Sequence, residues 1–175
     1  AHAILSKVYP AATLLRTRDE AVIWATRGVV FDVGGVFDAG LGRFDHHQAD
    51  GPRRADGAPY SSVGLIWKTF GTVFLEKILL DAGTEDVQAV WQVLDDTLIR
   101  PIDLLDNGVG DNRSDGIGAL VDDFNLFWDD TGNEDDAFWR ASLAAVEILS
   151  RRARRAAAAI RARSIVVEAI ESASD

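Results

Sequence analysis

From Glu134 onward neither glycine nor proline interrupts the chain for about forty residues. Through that run Phe138, Trp139, Leu143, Val146, Leu149, Ala153, Ala156, Ile160, Val167 and Ile170 keep a three-to-four spacing. A stretch without either helix breaker and with that period predicts one long amphipathic helix over 134–172, or two nearly continuous ones. At 1.5 Å per residue such a helix spans about 60 Å, more than a domain of this size needs. It is therefore expected either to bend near Arg151–Arg155 or to lay part of its stripe on a second copy, as a homodimer. Arg151, Arg152, Arg154, Arg155, Arg161 and Arg163 form a basic interval within it. A solvated face balancing nearby acids is a better reading of that interval than nucleic-acid contact.

The chain ahead of this helix has a different rhythm. Ala12–Arg18 alternates like a short strand, and Asp19-Glu20 open a short amphipathic segment through Trp24. Val29–Val33 is an apolar strand that delivers Asp32 and is followed by Gly34-Gly35. Asp38–Gly42 reads as a glycine-bearing hairpin, and Ala49–Pro59, rich in glycine, proline and charge, as a mobile loop. Strand, helix, strand predicts an α/β fold with a parallel sheet and flanking helices, its working groups beyond the carboxyl ends of the strands. Helices are expected from Tyr60 to Phe70, from Thr72 to Leu80, and from an N-cap at Thr84, with a stripe of Val87, Val90, Trp91, Leu94 and Leu98. Pro101 should kink or restart the helix that carries Asp103 and Asp106. Gly108–Gly118 reads as a loop and Leu120–Trp128 as a short apolar segment. The second half is thus mainly helical, and 1–175 forms one domain.

The three histidines are His2, His46 and His47, and two of them follow Asp45 directly. Asp32 and Asp106 each stand at a glycine-marked break. Carboxylates and imidazoles together suit a hard or borderline divalent metal such as Mn2+ or Mg2+, and the absence of cysteine excludes thiolate sites. Adjacent residues on an extended strand point to opposite faces, so His46 and His47 serve one crevice only if the backbone turns there. Arg53 and Arg54 lie in the loop beside this stretch. Solvated surface arginines are the plain reading; beside a phosphate-cleaving centre they would clamp substrate. A net charge of −10 repels nucleic acid on average, so such a substrate needs a metal or a local basic patch. No stretch is long and apolar enough to span a bilayer, and a soluble, cytoplasmic protein is the expectation. Ala1–Tyr9 reads as the tail of a helix already under way, which places further residues ahead of Ala1.

Taken in order, these segments resemble the DHH phosphoesterase superfamily, and within it the branch of melanocyte-proliferating-gene-one proteins and their bacterial relatives. The resemblance is carried by Arg16–Asp19, Val30–Asp38, Arg43–Gln48, Tyr60–Trp67, Ile102–Gly108, Phe124-Asn125 with Trp128, and Arg161–Ala169. It implies a DHH-type domain with a two-metal site. In that reading Asp32, His46 and Asp106 are metal ligands, with His46 shared between two ions. His47 faces the scissile phosphate and Asp45 assists, as a ligand or behind the ligands. The family's first motif, a histidine followed by closely spaced aspartates, would fall immediately before Ala1. The implied activity is metal-dependent phosphodiester cleavage by an exonuclease acting on single-stranded nucleic acid or a nucleotide-like substrate. A small-molecule phosphatase or pyrophosphatase is the alternative within the enzyme class. A non-catalytic interaction domain that keeps the fold is the alternative outside it.

Overall fold

The computed structural model describes residues 1–109 and 116–174. Helix α1 (His2–Val8) turns Ile4, Leu5 and Val8 inward and ends before Pro10, which cannot continue it. The strand expected over Ala12–Arg18 is absent: these residues join no described strand and are largely exposed. Side chains fasten the segment instead. Arg16 reaches Asp135 at 2.5 Å and lies 4.8 Å above the ring of Phe138. Helix α2 (Glu20–Ala25) is capped by Asp19, whose carboxylate accepts from the N–H groups of Ala21 and Val22.

Three two-residue strands follow: β1 (Val30–Phe31), β2 (Phe37–Asp38) and β3 (Arg43–Phe44), in the order β1-β3-β2. β1 runs parallel to β3, whereas β2 runs antiparallel to it. The sheet is therefore mixed, which corrects the wholly parallel sheet expected from the sequence. The cause is the Asp38–Gly42 turn. Asp38 accepts from the Leu41 N–H at 3.0 Å, and Gly42 closes the turn at φ 70°. Strands joined by so short a connection can only be antiparallel; a parallel pair needs a crossover.

Helix α3 (Ser62–Ile78) is the centre of the core, with Leu65, Ile66, Trp67, Phe74 and Leu75 fully buried. It joins the two helices expected on either side of Gly71 into one. Gly71 serves packing here. A Cβ there would come within 2.7 Å of Nε1 of Trp91 and 2.8 Å of the Trp67 ring. Those two indoles stack 6.0 Å apart with nearly parallel planes. The partner helix α4 (Thr84–Leu94) buries Val87, Val90 and Leu94 and carries Glu85 and Asp86 at its positive end. Gly83, not Thr84, is its N-cap.

Around Pro101 the helix changes character and a new α-helical element begins, in keeping with the expected restart. The helix widens into a π-helical segment over Asp95–Ile99, in which the Arg100 N–H reaches the carbonyl of Asp95. Helix α5 (Arg100–Asp106) then starts with the proline in its first turn, where a missing N–H matters least. The expected loop over Gly108–Gly118 falls mainly outside the described residues. Helix α6 (Ile117–Asp122) is followed by exposed Phe127 and Trp128, so that apolar segment does not enter the core.

Helix α7 (Glu134–Ala173) is forty residues of unbroken helix, capped by Asn133. Small residues (Ala137, Ala141, Ser142, Ala153, Ala157) let it pack closely on α1, α3 and α4. From Arg161 to Ser174 every residue is exposed. Among the described residues, no helix is long and apolar enough to cross a membrane.

Candidate metal centre

The parallel pairing of β1 with β3 decides where the chemistry-bearing residues emerge. Phe31 pairs with Phe44, so Asp32 and Asp45 leave the sheet side by side at its carboxyl edge. Asp32 adopts φ 63°, a left-handed conformation that a short polar side chain tolerates. Gly34 at φ 95° and Gly35 at φ 65° then fold the chain back. This return brings the Gly35 N–H to Oδ2 of Asp45 at 2.6 Å.

Asp45 is 2% exposed and holds the turn that follows it. Its Oδ1 accepts from the N–H of His46 at 2.7 Å, the N–H of His47 at 3.3 Å and Nδ1 of His47 at 2.5 Å. Burial works against the anion, but donation from Gly35, His47 and His46 outweighs it and keeps the carboxyl below its ordinary range. The same hydrogen bond, more than any other contact, raises the pKa of His47. Asp45 thus faces backbone and the His47 ring. The turn it fixes lets both imidazoles serve one crevice, stacked 4.2 Å apart.

His46 is nearly buried, and its two nitrogens look in different directions. Nε2 lies 3.3 Å from Oδ2 of Asp106, which α5 delivers in its last turn. Nδ1 lies 3.9 Å from Oδ1 of Asp32 and close to Ser62 at the start of α3. One donor atom from each of Asp32, His46 and His47 lies within 4.8 Å of the others. Burial, with the Asp32 charge adding to it, pushes the Asp106 carboxyl up. A cation placed there would relieve that repulsion. Two imidazoles and two carboxylates around one opening fit a divalent ion such as Mn2+ or Mg2+.

The two loop arginines separate. Arg53 remains at the surface and donates to the carbonyl of Gly57 at 2.9 Å. Arg54 turns inward, with only 9% of its side chain exposed. It donates from Nη2 to Asp95 at 2.9 Å and to Asp103 at 2.7 Å, from Nε to Asp103 at 3.0 Å, and from Nη1 to Asp95. Its guanidinium also covers the Tyr60 ring at 4.6 Å. Four of its donations are spent on carboxylates, so in this arrangement Arg54 fastens the loop to the π-helical segment and α5. It also orders what read as a mobile loop. Arg54 N–H bonds the Ala58 carbonyl at 2.8 Å, and the Tyr60 N–H bonds that of Pro52 at 3.0 Å.

Asp103 and Asp106, three residues apart, therefore divide their work. Asp103 is fully buried and accepts from the N–H of Ser61 at 3.0 Å and from its hydroxyl at 2.6 Å. Asn107 ties α5 to the same place by donating to the Tyr60 carbonyl at 3.1 Å. Asp95, Ser61 and Ser62 were not legible as site residues. Their only signal was a capping pattern at Tyr60-Ser61-Ser62 and an acid on an otherwise apolar helix face.

The family model MYG1_exonuc, described as an uncharacterised protein family (UPF0160), matches residues 1–175. The chain belongs to this family. Among curated relatives, the MYG1 protein of Dictyostelium discoideum is 31% identical over 143 residues, covering 75% of this chain and 43% of its own length. The MYG1 exonuclease of Homo sapiens is 29% identical over 157 residues, covering 79% of this chain and 41% of its own length. The MYG1 protein C27H6.8 of Caenorhabditis elegans is 27% identical, covering 71% and 41%. The chain thus spans about two fifths of the length of the MYG1 relatives it matches. No solved structure matches it.

Proposed function

We propose that this chain carries part of the centre of a metal-dependent phosphoesterase of the DHH type, which releases nucleotides from the end of single-stranded nucleic acid. One observation carries the reading: Asp32, His46 and His47 bring donor atoms within 4.8 Å of one another, with Asp106 beside them. The name exonuclease borne by mammalian relatives agrees with it.

Asp32, His46 and Asp106 would hold the divalent cations, Mn2+ or Mg2+, which activate a water and stabilise the leaving oxygen in such centres. His47, its Nδ1 held by Asp45, keeps an exposed ring with a raised pKa at the opening, suited to donate a hydrogen bond from Nε2 to a phosphate oxygen. Asp45 fixes that ring and the turn beneath it. Arg53 is the loop cation left at the surface to meet a polyanion.

The test is a pair of assays on the intact protein with manganese: nucleotide release from an end-labelled single-stranded oligonucleotide, and phosphate release from pyrophosphate. Oligonucleotide shortening that stops with a chelator supports the proposal. Turnover of pyrophosphate alone favours the small-molecule phosphatase, and turnover of neither favours an interaction domain.

A further inference from the structure

Two of the candidate ligands reach the opening from different elements. His46 follows β3 and rests against the start of α3, where the Ser62 N–H donates to its Nδ1 at 3.0 Å. Asp106 stands in the last turn of α5. Between them, Nε2 of His46 lies 3.3 Å from Oδ2 of Asp106. That gap depends on how the start of α3 is held to α5.

One side chain does most of the holding. Asp103 lies on α5, fully buried, and its two oxygens serve different partners. Oδ1 accepts from the N–H of Ser61 at 3.0 Å and from its hydroxyl at 2.6 Å, so it grips the residue that caps α3. Oδ2 accepts from Nε and Nη2 of Arg54, at 3.0 and 2.7 Å. Asn107 adds a second tie by donating to the Tyr60 carbonyl at 3.1 Å. Asp106 is therefore bracketed on α5 by Asp103 and Asn107, which hold Ser61 and Tyr60.

We infer that Asp103 is a positioning residue of the centre: its carboxylate clamps the start of α3 to α5 and so fixes the distance between His46 and Asp106. The inference rests on the metal reading above and names what keeps two of its ligands in register. Residues three apart share one helical face, so a shift of Asp103 carries Asp106 with it. Groups that work together need holding to within about 0.5 Å, by hydrogen bonds behind them. For packing alone, an apolar side chain of similar volume would serve as well, because a buried ion pair offsets its desolvation only with excellent geometry. What the carboxylate adds is direction, since four hydrogen bonds from two segments meet on it.

The experiment measures two things on the intact protein: Mn2+ affinity by calorimetry, and the His46 ring resonances by NMR without metal. Five proteins are compared: the parent, Ser61→Ala, Ser61→Thr, Asp103→Asn and the core truncation Val90→Ala. Circular dichroism sets a temperature at which each is folded. Ser61→Ala removes the hydroxyl that Asp103 grips, and Asp103→Asn keeps the shape but presents an amide to Arg54. Each should bind Mn2+ about 10-fold more weakly, the lower end of the range for groups behind metal ligands. Each should also shift the His46 ring resonances. Ser61→Thr, which restores a hydroxyl, should recover most of the affinity. Val90→Ala lowers stability alone and should leave both readouts as in the parent. Parent-like affinity and resonances in Ser61→Ala and Asp103→Asn would overturn the inference while leaving the metal reading intact. So would an equal loss of affinity in Val90→Ala. A parent that binds no Mn2+ removes the proposed centre, and the inference with it.

Discussion

The carboxylate of Asp103 occupies the space that a side chain at residue 64 would need. A Cβ added at Gly64 would overlap both carboxylate oxygens. Glycine is thus required in the first turn of α3 for contact with α5, while its backbone φ is ordinary. Gly64→Ala should push Asp103 away from Ser61 and Arg54 and cost about 1–3 kcal/mol, the range for overpacking a tight site. Urea unfolding measures this. A variant as stable as the parent would mean that α5 can shift without loss.

Arg54 leads to a larger effect. Arg54→Met leaves Asp95 and Asp103 buried without their countercharge, and breaking a buried pair in this way costs about 3–5 kcal/mol. Neutralising all three positions together, as Arg54→Met with Asp95→Asn and Asp103→Asn, should recover part of the loss. Denaturant midpoints of the single and triple variants decide the matter. If the single variant is harmless, the guanidinium is not the fastener described above.

The pair Asp45–His47 sets a pH dependence. Asp45 lies below its ordinary 3.8 and His47 above its ordinary 6.5. The share contributed by His47 is complete below 6.5 and fades as pH rises through the raised folded value. The share of Asp45 is complete above 3.8 and is lost as pH falls through its depressed value. Asp45→Asn removes the main cause of the His47 shift, so an NMR titration of the metal-free protein should show the His47 midpoint moving down toward 6.5. An unmoved midpoint would assign the shift to another neighbour.

Much of this arrangement was legible in the chain. The Glu134 run became one helix because nothing in it breaks a helix, and the strand expected over Val29–Val33 is found at Val30–Phe31, beside Arg43–Phe44 and leading into Asp32. What was not legible depended on partners distant in sequence. Arg54 read as a surface cation because its acids lie 41 and 49 residues away. Gly71 read as a helix break because the indole that needs the space belongs to another helix. Ala12–Arg18 had the alternation of a strand but met no edge to pair with; its arginine found α7 instead.

The role proposed for Asp32 and His46, holding a catalytic divalent cation, can be tested in a single comparison. Manganese-dependent nucleotide release from a labelled oligonucleotide is measured for the intact protein, Asp32→Asn and His46→Gln, with circular dichroism confirming that each variant folds. Release by the parent, abolished by a chelator, and loss in both variants are expected, because Asn at position 32 keeps the shape but cannot neutralise the ion, and Gln at position 46 lacks the imidazole nitrogen. Parent-like release by either folded variant would contradict that role.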